Sequence, residues 1–220
     1  MGEKDLELAQ LLCTRLCHDL AGPVGAVAAG VELIGGDPSQ VDAETLGLIG
    51  SSSAAASMKL KFMRAALGAA GAAAQDPKAL LDGYLESVAG PSGKTNVTWP
   101  APQALAAGHA ALGAVWTQLV LNLCLLALET QPACRALSLG IMDGNDLIIT
   151  LESRGAAERP AVLRPELTAA IAGAAESVLS AKTIHGSLTG RLVRAAKGRV
   201  DVKAEGSVIT VTAAFSKSAA

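Results

Sequence analysis

Aromatic side chains are nearly missing from this sequence. Its 220 residues include two tryptophans, one tyrosine and two phenylalanines, while alanine, leucine and valine abound. A core so poor in rings suits close helix–helix packing better than an aromatic-filled pocket. Charge is sparse too, at 17% of residues with a formal net charge of −2, and no long basic run occurs. Electrostatically driven nucleic-acid binding therefore has little support. Cysteines at metal or redox spacing are also lacking. The four, at positions 13, 17, 124 and 134, make no Cys-x-x-Cys pair. Their apolar surroundings predict small buried hydrophobes in a reducing compartment. Cys13-x-x-x-Cys17-His18 has one residue too many for haem attachment. The same trio is a poor metal site, because His18 points about 100° away from Cys17 and no fourth ligand is evident. No metal is expected.

The N-terminal segment lacks the basic flank and uninterrupted apolar run of a secretion signal. The most apolar segment, Ala110 to Leu128, is broken by Gln118 and Asn122 and contains Gly113. It reads as a buried helix, not a membrane span. A cytoplasmic protein without membrane partners is the expectation. Half the residues are hydrophobic, which makes the chain globular and long enough for one large or two small domains.

What the sequence does have is helical periodicity. Leu8, Leu12, Leu16, Leu20, Val24, Val27, Val31 and Ile34 recur at steps of three and four, predicting a helix over residues 4–35. Gly35-Gly36-Asp37-Pro38-Ser39 ends it. A second helix is expected from Asp42 to Leu67, with small residues at its middle, so the two form an antiparallel hairpin. A hairpin leaves apolar surface uncovered, and a second copy completing a four-helix bundle is the simplest cover. Residues 68–74, all Gly or Ala, read as a linker. The predicted organisation is a hairpin domain over 1–70 and a second domain over 75–216. In the latter, helices are expected at Asp76–Val88, Ala106–Glu129, Ala169–Val178 and Leu188–Ala196. Strands are expected at Lys94–Trp99, Ala136–Met142, Asp146–Glu152, Arg199–Ala204 and Ser207–Ala213, with Asp143-Gly144 and Glu205-Gly206 as hairpin turns. The fold class is α+β, one mostly antiparallel sheet covered by helices.

His18 stands out in the first helix. At 100° per residue it points about 200° from the stripe centred on Leu16, Val27 and Ile34. Its neighbours there are Leu11, Thr14, Arg15, Ala21, Gly22 and Gly25, mostly small or polar, so the imidazole is expected to be accessible. Pro23 cannot donate to the Asp19 carbonyl, which leaves that oxygen free beside a bend. Asp19 can hydrogen-bond to His18 or take its proton, and Arg15 lies one turn earlier, placed to meet negative charge. An accessible neutral histidine is a nucleophile, and phosphoryl transfer relies on positioning and charge more than on elaborate machinery. The bland alternative is a surface histidine with no role. His109 and His185, the latter read as a loop residue, look structural or incidental.

His18-Asp19-Leu20-Ala21-Gly22-Pro23 resembles the H-box of sensor histidine kinases, and the hairpin is similar to their dimerisation and phosphotransfer domain. The rest of the chain resembles their ATP-binding α/β sandwich in degenerate form. Gln118-Leu119-Val120-Leu121-Asn122-Leu123 is similar to the N-box, whose asparagine helps hold magnesium and nucleotide. Where a kinase carries Asp-x-Gly-x-Gly after a strand, this chain has Glu152-Ser153-Arg154-Gly155. Lys182-Thr183-Ile184-His185-Gly186-Ser187 replaces the glycine-rich lid, and Gly186 and Gly190 do not make a phosphate cradle. Asn122 is then a vestige or a buried hydrogen-bonding residue. The combination resembles the ChpT-type bacterial histidine phosphotransferases over nearly the whole chain, including Arg164-Pro165-Glu166-Leu167.

That resemblance implies a phosphorelay. His18 would take a phosphoryl group from the receiver domain of a hybrid histidine kinase and pass it to response regulators, with Asp19 orienting the ring. Arg15 would meet phosphoryl oxygens or the partner, while Leu11, Thr14, Gly22 and Gly25 would form the docking surface. The chain would act as a homodimer, bind no ATP or other cofactor, and rely on magnesium held by the receiver. A diverged active kinase and a dimeric docking scaffold that takes no phosphate are the alternatives.

Overall fold

The computed structural model describes residues 2–36, 42–68, 75–89, 93–131, 134–155, 160–174 and 179–216. The expected turn residues Asp37, Pro38 and Ser39, and linker residues 69–74, lie outside them. Helix α1 (Glu3–Gly36) and helix α2 (Ala43–Leu67) form the hairpin. Asp42 caps α2, its carboxylate accepting the Thr45 amide at 2.7 Å. Close approach of the two helices depends on Gly30, where any Cβ would collide with the Ile49 side chain.

Beyond the hairpin come α3 (Pro77–Ser87), β1 (Asn96–Thr98), α4 (Pro102–Leu112), a single 3-10 turn (Gly113–Val115) and α5 (Trp116–Thr130). Then follow β2 (Ala136–Asp143), β3 (Asp146–Arg154), α6 (Pro165–Ala172), α7 (Ile184–Ala195), β4 (Gly198–Glu205) and β5 (Val208–Ser216). The sheet order is β1-β2-β3-β5-β4, with β1 parallel to β2 and the other pairs antiparallel. Alternation gives the sheet one apolar face: Leu137, Leu139, Leu147, Ile149, Leu151, Ile209, Val211 and Ala213 are buried. That face packs on α5, which also contacts α2, α3 and α7. A helix enclosed on so many sides must be apolar nearly all round, as Trp116–Ala127 is. The segment Pro102–Thr130 is long and apolar enough to cross a membrane, but 67% of its most apolar window is buried inside the protein.

The core does not stop at the hairpin. Phe62, Met63, Ala65 and Ala66 of α2 belong to the same buried cluster as α3, α5 and the sheet, and Phe62 stacks on Tyr84 with ring centroids 4.2 Å apart. A smaller cluster of Leu8, Leu179 and Ile184 seats the start of α1 near α7. There Arg191 bonds Asp5 at 2.5 Å and holds its carboxyl below the usual carboxylate range.

Four expectations need correction. The helix expected over Ala106–Glu129 is two helices, because Gly113 takes φ +54°, a left-handed value that ends α4. Of the helix expected over Ala169–Val178, the first residues belong to α6, which starts earlier with Pro165 in its first turn and ends at left-handed Gly173, while residues 175–178 lie outside the described residues. His185 lies in α7, not in a loop, and is buried. Finally, Cys13 and Cys17 are exposed, since they lie on a side of α1 where Leu6, Val24 and Val31 are uncovered too.

Candidate functional site

The helix stripe read from the sequence resolves into two faces. At 100° per residue, Gly30, which lies against Ile49 of α2, and Leu12, which packs on Leu8 and Ile184, share one direction, while the exposed Leu6, Cys13, Cys17, Val24 and Val31 share a separate sector about 40° wide. His18 lies on a third side, about 120° from either. Its side chain is 84% exposed. The accessible imidazole expected from the sequence is therefore in place.

Around it a chain of charges runs inward. His18 Nδ1 lies 3.2 Å from Asp19 Oδ1, and the Arg15 Nε–H donates to Asp19 Oδ2 at 2.9 Å. The Arg15 Nη2 donates to Glu129 Oε1 at 2.9 Å, and His185 Nδ1 meets that same oxygen at 2.7 Å. Asp19 is 19% exposed, so its carboxylate is shielded while the imidazole beside it is not. Burial alone would pull the Arg15 guanidinium down, but Glu129 and Asp19 outweigh it and hold the group above its usual value. The Asp19 carbonyl freed by Pro23 does find a donor: Lys59 Nζ reaches it at 3.2 Å from α2.

Of the expected contact residues, Leu11, Thr14 and Arg15 line a cavity of about 300 Å³ with His18, Asp19 and Ala181. Gly22 and Gly25 are exposed one and two turns on, and a Cβ at either would meet nothing within 4 Å. Three residues of this neighbourhood escaped the sequence reading. Lys59 and His185 gave no local signal. Glu129 did give one, as the sole charged residue in α5.

Tyr84 sits close by. Burial first, then the Asp19 and Glu129 carboxylates, pushes its hydroxyl up to about 12. It is the chain's only tyrosine, so tyrosinate ultraviolet absorbance reports it alone. The unfolded chain ionises at about 10, hence Tyr84 contributes stability that is fully present below about pH 10 and lost as pH rises through about 12. Absorbance titrations of folded and urea-unfolded protein are expected to differ by this interval, and coincident curves would contradict the burial.

Asn122, the α7 glycines and Glu152 all make contacts within the chain. Asn122 is fully buried and donates to the carbonyls of Ala66 at 2.6 Å and Gln118 at 2.8 Å. It is a buried hydrogen-bonding residue. Gly186 and Gly190 lie inside α7 where α6 crosses: a Cβ on Gly186 would come within 2.6 Å of Leu167, and one on Gly190 would strike the Ile171 carbonyl. Glu152 pairs with Arg154 at 3.0 Å. Among the described residues no cluster of His, Cys, Asp and Glu could hold a metal ion.

Fold and site together define a class: a helical hairpin bearing an exposed histidine–acid pair, continued into a helix-covered sheet. A solved structure of a bacterial phosphotransferase has this fold, with a TM-score of 0.70 over 97% of each chain at 25% identity. The family model for the histidine phosphotransferase C-terminal domain matches residues 74–208, and the chain belongs to that family. Protein phosphotransferase ChpT of Brucella abortus (strain 2308) is 47% identical over 68 residues, 31% of this chain and 32% of that relative. That match spans about a third of the relative's length.

Proposed function

We propose that this protein is a relay phosphotransferase whose carrier is His18. It accepts a phosphoryl group from the receiver aspartate of a hybrid histidine kinase and passes it to the receiver aspartate of a response regulator. The observation that carries this reading is the 84% exposed imidazole whose Nδ1 is tied to Asp19. With the proton on Nδ1, the lone pair of Nε2 faces solvent and can attack phosphorus in line. The N–P bond forms as the P–O bond to the receiver aspartate breaks, and the released electron pair returns to that carboxylate. The ring gains positive charge, which Asp19 stabilises through the Nδ1 proton. Magnesium held by the receiver offsets charge on the phosphoryl oxygens. Leu11, Thr14, Gly22 and Gly25 form the docking surface, and Arg15 reaches it from its ion pairs.

No autokinase or ATPase activity is expected. The buried, internally bonded Asn122 and the packed glycines of α7 support this. The test supplies phosphate two ways. Purified protein should become labelled from a phosphorylated receiver with magnesium and stay unlabelled with ATP alone. Labelling from ATP would favour a diverged kinase, and receiver binding without labelling a scaffold.

The proposed working form is a homodimer in the cytoplasm. Leu6, Val24 and Val31 of α1, and Leu46 and Leu60 of α2, are each about half exposed, and a second hairpin would cover them in a four-helix bundle. Leu60→Asp would place a charge in that seam. Sedimentation is expected to give a dimer for the wild type and a monomer for the variant, whereas a monomeric wild type would overturn the bundle.

A further inference from the structure

We infer that Glu129 and His185, which lie outside the hairpin, are positioning residues for phosphoryl transfer that fix the tautomer of His18 through Arg15 and Asp19. The inference deepens the reading of His18 as carrier and rests on it.

The argument starts from how the guanidinium is divided. Its fork favours gripping a single carboxylate with two parallel bonds. Here the fork is split, with Nε on Asp19 Oδ2 and Nη2 on Glu129 Oε1. Asp19 Oδ1 is left to His18 Nδ1. If Glu129 lost its charge, Arg15 would be free to close on both Asp19 oxygens. His18 would then lose its acceptor, and the ring proton could move to Nε2, the atom that must attack.

His185 holds Glu129 in turn. Its side chain is 1% exposed, and its Nδ1 lies 2.7 Å from Glu129 Oε1. The Nε2 of His185 has no hydrogen-bond partner among the described residues and is buried. With Nε2 unpartnered, the ring bonds through Nδ1, whose N–H donates to the carboxylate. Donors and acceptors then alternate without conflict: His185 N–H to Glu129, Arg15 to both carboxylates, and His18 N–H to Asp19. The series links α7 and α5 to the carrier helix, so docking of the sheet domain on the hairpin and readiness of the nucleophile become one condition. Outer partners of this kind typically matter by about 10- to 100-fold in metal sites.

The test uses the full chain with isotope-labelled histidine, reading the His18 tautomer by nitrogen NMR and uptake rates from a phosphorylated receiver. Three variants are compared: Glu129→Gln, His185→Leu, and His185→Asn, whose amide nitrogen falls near the place of Nδ1. Wild type and His185→Asn are expected to carry the His18 proton on Nδ1 and to react alike. Glu129→Gln and His185→Leu are expected to shift it toward Nε2 and to slow uptake about 10- to 100-fold at unchanged receiver affinity. Should His185→Leu fail to fold, the partly exposed Glu129 still provides the decisive variant. An unchanged tautomer and rate in folded Glu129→Gln would overturn the inference. A wild type that takes no phosphate would overturn the carrier reading instead, while the tautomer measurement would still decide this one.

Discussion

Replacing His18 by alanine is expected to reduce phosphoryl uptake from a phosphorylated receiver to background, with fold and receiver affinity retained. The size of the effect follows from chemistry. Among the described residues lining this cavity, His18 alone carries an imidazole nitrogen to attack with, and Asp19 holds the opposite side of the ring. Cys13 and Cys17 are exposed but lie in a different sector of the helix. The harmlessness to folding follows from structure, since the ring is 84% exposed and its hydrogen bond is to the adjacent residue. Exposed positions of that kind change stability by no more than about 0.5 kcal/mol. His18→Gln should behave the same way, because an amide keeps polarity and length without nucleophilicity. Residual uptake in both variants at the wild-type rate would move the carrier elsewhere.

The largest expected effect on stability is at Phe62. Its ring is completely buried and stacks on Tyr84 at the junction of α2 with α3. Truncation to alanine is expected to cost about 3–5 kcal/mol, the range for removing a buried aromatic ring and leaving a cavity. Because one buried cluster joins α2, α3, α5 and the sheet, the hairpin and the sheet domain should lose stability together in a single urea transition. Lys61→Ala, exposed and one residue earlier, should shift the midpoint little. Matching unfolding curves for the two variants would show that the shared core is not what holds the halves together.

The hairpin and the sheet could be read from the sequence because their signals are local. Steps of three and four mark α1 and α2, alternation marks β2 and β3, and the Glu205-Gly206 turn marks the hairpin of β4 and β5. The His18–Asp19–Pro23 unit was legible for the same reason, down to the carbonyl that proline frees. The donor to that carbonyl was not: Lys59 is 40 residues away, and only the packing of α2 on α1 brings it there. Glu129 and His185 are separated from Arg15 and from each other by long stretches of chain, and their meeting depends on α5 and α7 lying together. A lone acid in an apolar helix was the available clue. The α1 stripe blurred for a different reason, since a helix that faces α2 on one side and has an uncovered apolar sector on another averages into one broad band. Averaging placed Cys13 and Cys17 among buried residues, although they lie in the uncovered sector.

The most direct test of the account is to locate the phosphorus. The protein with isotope-labelled histidine rings, mixed with a phosphorylated receiver domain and magnesium, should acquire acid-labile, alkali-stable phosphate. Phosphorus–nitrogen coupling should place it on Nε2 of His18, the nitrogen opposite the Asp19 bond. Phosphate on Nδ1, on another residue, or on none despite receiver binding would contradict the account.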